Sequence, residues 1–97
     1  MLSKKDSRAR WRELRDLINA WDPIGLIEVG CPPDEYECVV GPIMRILEQG
    51  APTLHITEYV LKEFPDHFGV PVPELSAASF ATRASYWFSA RQAEEQP

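Results

Sequence analysis

Four side chains in this 97-residue chain are soft or borderline metal ligands: Cys31, Cys38, His55 and His67. Structural zinc sites take such ligands in pairs roughly two to four residues apart. Here the cysteines stand as C-x6-C and the histidines as H-x11-H, with sixteen residues between the two pairs. That spacing predicts no metal and no cofactor. His55 reads instead as a half-exposed helix residue, and His67 as a cap where an imidazolium meets the negative end of a helix. Carboxylates are available at Asp34, Glu35 and Glu37, but acid–base work needs opposed groups across a cleft, and a single helical turn gives none. The sequence holds no G-x-S-x-G, phosphate-binding loop or dinucleotide fingerprint. The chain therefore reads as a non-enzyme.

Charge is unevenly spread. Lys4, Lys5, Arg8, Arg10, Arg12 and Arg15 outweigh Asp6 and Glu13 to give +4 over residues 1–15, while the rest of the chain carries −9, for a net charge of −5. A pI near 4.9 argues against a general nucleic-acid binder, whose affinity rests on phosphate contacts. It suits the docking of a basic protein, where complementary fields speed encounter and reject wrong partners. No apolar run approaches the roughly 18 residues a transmembrane helix needs. The charged residues after Met1-Leu2-Ser3 do not resemble a secretory signal, so a cytoplasmic protein with two free thiols is expected.

The elements that would position these groups follow from periodicity. Trp11, Leu14, Ile18 and Trp21, widened by Leu17, mark an amphipathic helix that starts near Ser3 or Ser7 and stops at Asp22-Pro23. Its bases at positions 4, 5, 8, 12 and 15 read as a solvated face. Residues 22–33 form a connector whose Ile24, Leu26, Ile27 and Val29 predict a buried strap across the core. A second helix opens at Pro33 or Asp34, with Asp34, Glu35 and Glu37 meeting the positive end of its dipole. Tyr36, Val39 or Val40, Ile43 and Leu47 face inward, and Gly50 ends the helix. Gly41-Pro42 predicts a kink in it, because proline removes one backbone hydrogen bond and crowds the Cys38 carbonyl. A third helix begins at Pro52 or Thr53, with Leu54 or Ile56, Val60 or Leu61, and Phe64 inward. Val70–Pro73 is an extended linker, and a last helix runs from Glu74 to about Gln92, carrying Leu75, Ala78, Phe80, Ala84, Trp87, Phe88 and Arg91. The expected fold is all-α: one domain over residues 1–97, a small irregular four-helix bundle with one Pro-kinked helix and frayed ends at 1–3 and 94–97. Ninety-seven residues leave no room for a second core.

Trp21-Asp22-Pro23-Ile24-Gly25, then Asp34-Glu35-Tyr36, then Ile43-x-x-Ile46-Leu47-x-x-Gly50-Ala51, then His55-Ile56-x-x-Tyr59-Val60-Leu61, resembles the YugE-like family of small bacterial helical proteins. The resemblance covers about residues 11–64, and W-D-P-I-G with D-E-Y is its most specific part. It implies a small helical fold and a bacterial, cytoplasmic setting. Proteins that look like this also occur beside bacterial toxin genes, which implies an immunity-type role, and the family supplies no catalytic residues. Gly41-Pro42 and the aromatic run Tyr86-Trp87-Phe88 depart from its pattern.

Two surfaces are candidates for binding. Asp22, Glu28, Asp34, Glu35 and Glu37 form the densest single-sign stretch in the chain, without a base between the first and the last. As an acidic lip they would pair with Lys and Arg of a partner such as a basic bacterial toxin domain. The competing reading gives Asp22 to the backbone N–H groups of its own turn and leaves the other acids to the helix dipole and to solvent. Tyr86, Trp87 and Phe88 span about 200° of the last helix, more than one inward stripe can hold. An outward aromatic beside Arg91 has the composition of an interface hot spot; otherwise it is covered by another segment. The sequence thus predicts a protein-binding module, an inhibitor that occludes a toxin, with a homodimer burying the aromatic helix as the alternative.

Overall fold

A computed structural model describes residues 4–95, and the side chains of residues 7–94. Residues 1–3, 96 and 97 of the expected frayed ends lie outside the described residues. The described chain is all-α, with four α-helices, one π-helical turn and no strand. It divides into two compact units, Met1–Arg45 and Ile46–Pro97.

In the first unit, α1 spans Lys4–Trp21. Its buried line is Arg10, Leu14 and Ile18, each one helical turn after the last. Trp11, Leu17 and Trp21 flank that line half-buried, so the inward face is turned toward Arg10 relative to the Trp11–Trp21 stripe expected from apolarity. Arginine can do this because its methylene stem packs as a hydrophobe. The helix ends where the Asp22 N–H reaches back to the Ile18 carbonyl at 2.9 Å and the Asp22 backbone turns left-handed, φ 44°.

Helix α2 spans Glu37–Glu48, later than the expected start at Pro33 or Asp34. Residues 33–36 are turns closed by short-range bonds, Glu35 N–H to Pro32 carbonyl at 3.3 Å and Glu37 N–H to Asp34 carbonyl at 3.1 Å. Of the three acids assigned to the helix dipole, only Glu37 lies in the first helical turn. The helix passes through Pro42 without interruption. Val39 and Ile43, then Val40, Met44 and Leu47, are buried on either side of it, so the apolar stripe stays in phase although the Cys38 carbonyl has lost its helical donor.

In the second unit, the end of α2 is a Schellman reversal. The Gly50 N–H binds the Leu47 carbonyl at 3.1 Å, and the Ala51 N–H binds the Ile46 carbonyl at 3.4 Å. Gly50 takes the left-handed conformation this needs, φ 70°. Helix α3, Thr53–Glu63, buries Ile56, Thr57 and Val60 and leaves Leu54 exposed. Pro65 cannot continue the ladder, and Phe64–Phe68 form a π-turn that Gly69 closes. Phe64 and Phe68 stack there with ring centres 5.0 Å apart. After the linker, in which Val72 is buried, α4 spans Glu74–Glu95.

Helices α3 and α4 pack together. Ala77, Phe80, Ala81, Ala84 and Phe88 form the buried line of α4, and each fully buried large apolar side chain in such a core contributes roughly 1.5–3 kcal/mol. The alanines leave room for close helix approach. Leu75 is 86% exposed, because the buried phase is set by Ala77 and Phe80. The Thr53 hydroxyl meets the Ser85 hydroxyl at 3.1 Å, so α4 runs back along α3 and its last turns extend past the start of α3.

Candidate functional site

The acidic segment is framed by one carboxylate. Asp22 sits half-buried at the end of α1, and the following turns fold back over it. Its Oδ1 accepts from the Ile27 N–H at 3.0 Å and from the Tyr36 hydroxyl at 2.6 Å, and its Oδ2 accepts from the Glu28 N–H at 2.9 Å. The Tyr36 oxygen in turn accepts from the Leu26 N–H at 3.4 Å. Asn19 adds a second tie, donating to the Pro33 carbonyl at 2.9 Å. Partial burial works to raise the Asp22 carboxyl, but the bonds from Tyr36, Ile27 and Glu28 outweigh it and hold the group below its usual 3.8. For Tyr36, which is 0% exposed, burial and then the bond to Asp22 push the hydroxyl up to about 12.

This arrangement decides one open reading and corrects one expectation. Of the two readings of Asp22, the observed bonds match the one that gives its carboxylate to its own turn. The 22–33 connector is also less buried than its composition predicts. Ile24, Leu26 and Ile27 are half-buried and Val29 is 76% exposed, because the segment is held by hydrogen bonds to one carboxylate more than by apolar contact.

The remaining acids face solvent. Glu28, Asp34, Glu35 and Glu37 are all exposed, and none has an ion-pair partner among the described residues. They lie on one stretch of chain whose backbone is fixed by Asp22, Tyr36 and Asn19.

The aromatic run of α4 separates by depth. Phe88 is 5% exposed and belongs to the core. Trp87 and Arg91 are half-buried, and Tyr86 is 78% exposed. Phe88 also walls a groove of about 320 Å³ between the α2–α3 turn and the second half of α4. Glu48, Ala51, Thr53, Ser85, Ser89 and Gln92 share that wall.

Two features escaped the sequence reading. Arg10 reads by type as one more surface base, although its spacing of four from Leu14 and eight from Ile18 marks the buried line. The groove depends on a hairpin that returns Ser85–Gln92 to the α2–α3 turn, and only the complementary small residues at both places hint at it.

Cys31 is half-buried and Cys38 exposed, both as free thiols. His55 and His67 are exposed, and His67 lies edge-on to Phe68 at 4.8 Å. Among the described residues no group of three or more His, Cys, Asp or Glu side chains is placed to hold a metal ion, and no helix is long and apolar enough to cross a membrane. Neither a family model, nor a curated protein, nor a solved structure matches this chain.

Proposed function

We propose that this protein is a non-enzymatic, cytoplasmic binding module that presents a rigid acidic segment to a basic protein partner. One observation carries the reading: Glu28, Asp34, Glu35 and Glu37 are exposed and without ion-pair partners among the described residues, on a backbone fixed in advance by the Asp22–Tyr36 clamp. Pre-ordering a charged loop lowers the cost of association, and its field raises the encounter rate. The immunity-type form of this function, occlusion of a bacterial toxin, rests on the resemblance to YugE-like proteins. Tagged protein purified from its native cells at moderate and at high salt tests it. A stoichiometric basic partner released by salt is the expected result, and recovery of the protein with no basic partner at either salt refutes it.

A second reading is favoured by the outer face of α4. Leu75 and Tyr86 are eleven residues apart, which returns to within about 20° on a helix, and Ser79 and Thr82 between them are exposed and uncharged. Such a face suits a two-fold dimer. A mass near twice 11.0 kDa at high concentration is its signature, and a monomer there dismisses it.

A further inference from the structure

The groove beside Phe88 has a chemical bias. Among the described residues, Glu48 is the only charged side chain in its wall, and it has no ion-pair partner there. Thr53, Ser85, Ser89 and Gln92 supply neutral hydrogen-bonding groups, and no base lines it among the described residues. The negative end of the α2 dipole lies at the same place, since Glu48 is the last residue of that helix. The opposing polarity of the α3 start is partly spent, because the His55 N–H is taken by the Pro52 carbonyl at 2.9 Å. About 320 Å³ is at the lower edge of ligand-site volumes and is ample for one long side chain. An aromatic wall, a hydroxyl rim and one carboxylate match a cation on an aliphatic stem.

We infer that this groove receives an arginine side chain of the protein partner, with Glu48 facing the guanidinium and Phe88 packing along the stem. The inference deepens the acidic-module reading and rests on its basic partner, yet it concerns different residues. Arginine is favoured over lysine because its five donors can engage several of these oxygens at once.

The test is an amide NMR titration of the full chain with the capped peptide Gly-Arg-Gly and its citrulline counterpart, a neutral isostere. The expected result is shifts clustered at Gly50, Ala51, Thr53, Ser85 and Ser89, with citrulline binding about fivefold weaker, the scale of one partly exposed ion pair. Glu48→Gln should erase the difference between the peptides, and Ser89→Trp should block both while the amide spectrum stays folded. Absence of shifts at these residues, or equal binding of arginine and citrulline, overturns the inference. Arginine-specific shifts confined to Glu28 and residues 34–37 also overturn it, while leaving the acidic-module reading standing.

Discussion

The Tyr36 hydroxyl donates to the Asp22 carboxylate at 2.6 Å, joining the end of α1 to the entry of α2 across fourteen residues of sequence. Because Oδ1 and Oδ2 also hold the Ile27 and Glu28 N–H groups, this pair gathers both ends of the loop and its middle onto one carboxylate.

Removing the carboxylate should therefore unfold more than a local turn. Asp22→Ala leaves a buried hydroxyl and two N–H groups without an acceptor, at a cost of roughly 3 kcal/mol, while Asp22→Asn keeps one acceptor oxygen and costs roughly 1 kcal/mol. Urea unfolding midpoints at neutral pH measure both.

Acid should act through the same group. The folded Asp22 carboxyl titrates below its usual value of 3.8, so the unfolded chain takes up the proton first as pH falls. The stability Asp22 contributes is fully present above the ordinary carboxylate value and is lost as pH drops through the depressed folded one. The difference in thermal midpoint between the native chain and Asp22→Asn should shrink across that window. A constant difference would separate the clamp from the acid response.

Base acts through the partner. The folded Tyr36 hydroxyl is raised from 10.0 to about 12, so the unfolded chain ionises first as pH climbs. The contribution of Tyr36 is complete below 10 and falls by up to about 1.4 kcal/mol per pH unit until the folded hydroxyl ionises too. Tyrosinate absorbance should show one late component that is missing from Tyr36→Phe.

Neighbours in the aromatic run should behave in opposite ways. Phe88→Ala opens a core cavity and costs roughly 3–5 kcal/mol. Tyr86→Ala, two residues earlier and exposed, should stay within about 0.5 kcal/mol of the native chain. Chemical denaturation of the two variants decides it.

Charge reversal at Asp34 and Glu35 should leave stability within about 0.5 kcal/mol per site, since neither has an ion-pair partner among the described residues, while reversal at Glu37, in the first turn of α2, should cost about 1 kcal/mol through the helix dipole. Association with a captured basic partner should slow and lose much of its salt dependence. Unchanged rates in stopped-flow mixing would move the interface elsewhere.

The helical class and most inward stripes were readable because they repeat at helical spacing: Leu14 with Ile18, Ile43 with Leu47, Phe80 with Ala84 and Phe88. Gly50 and Pro52 bracketed the α2–α3 turn because their backbone demands are strict. What periodicity does not encode was missed. The late start of α2 follows from turns around Pro32, Asp34 and Tyr36 that resemble a helix opening in composition. Depth along α4 depends on where α3 lies, so Leu75 and Phe88 could not be sorted by apolarity. The Asp22–Tyr36 bond joins two residues each plausible in a purely local role, and only the fold brings them within reach.

The left-handed backbone of Asp22 has a consequence for how this surface can change over evolutionary time. Glycine at position 22 would suit the dihedral angle but abandon all three bonds, asparagine would put a donor where one acceptor stands, and glutamate would strain the angle and overreach. No single replacement meets both demands, so the frame resists drift. The four exposed acids it carries are under no such constraint. Under the proposed binding role, recognition could thus be rewritten one surface residue at a time, toward a new partner, without reopening the question of how the loop folds.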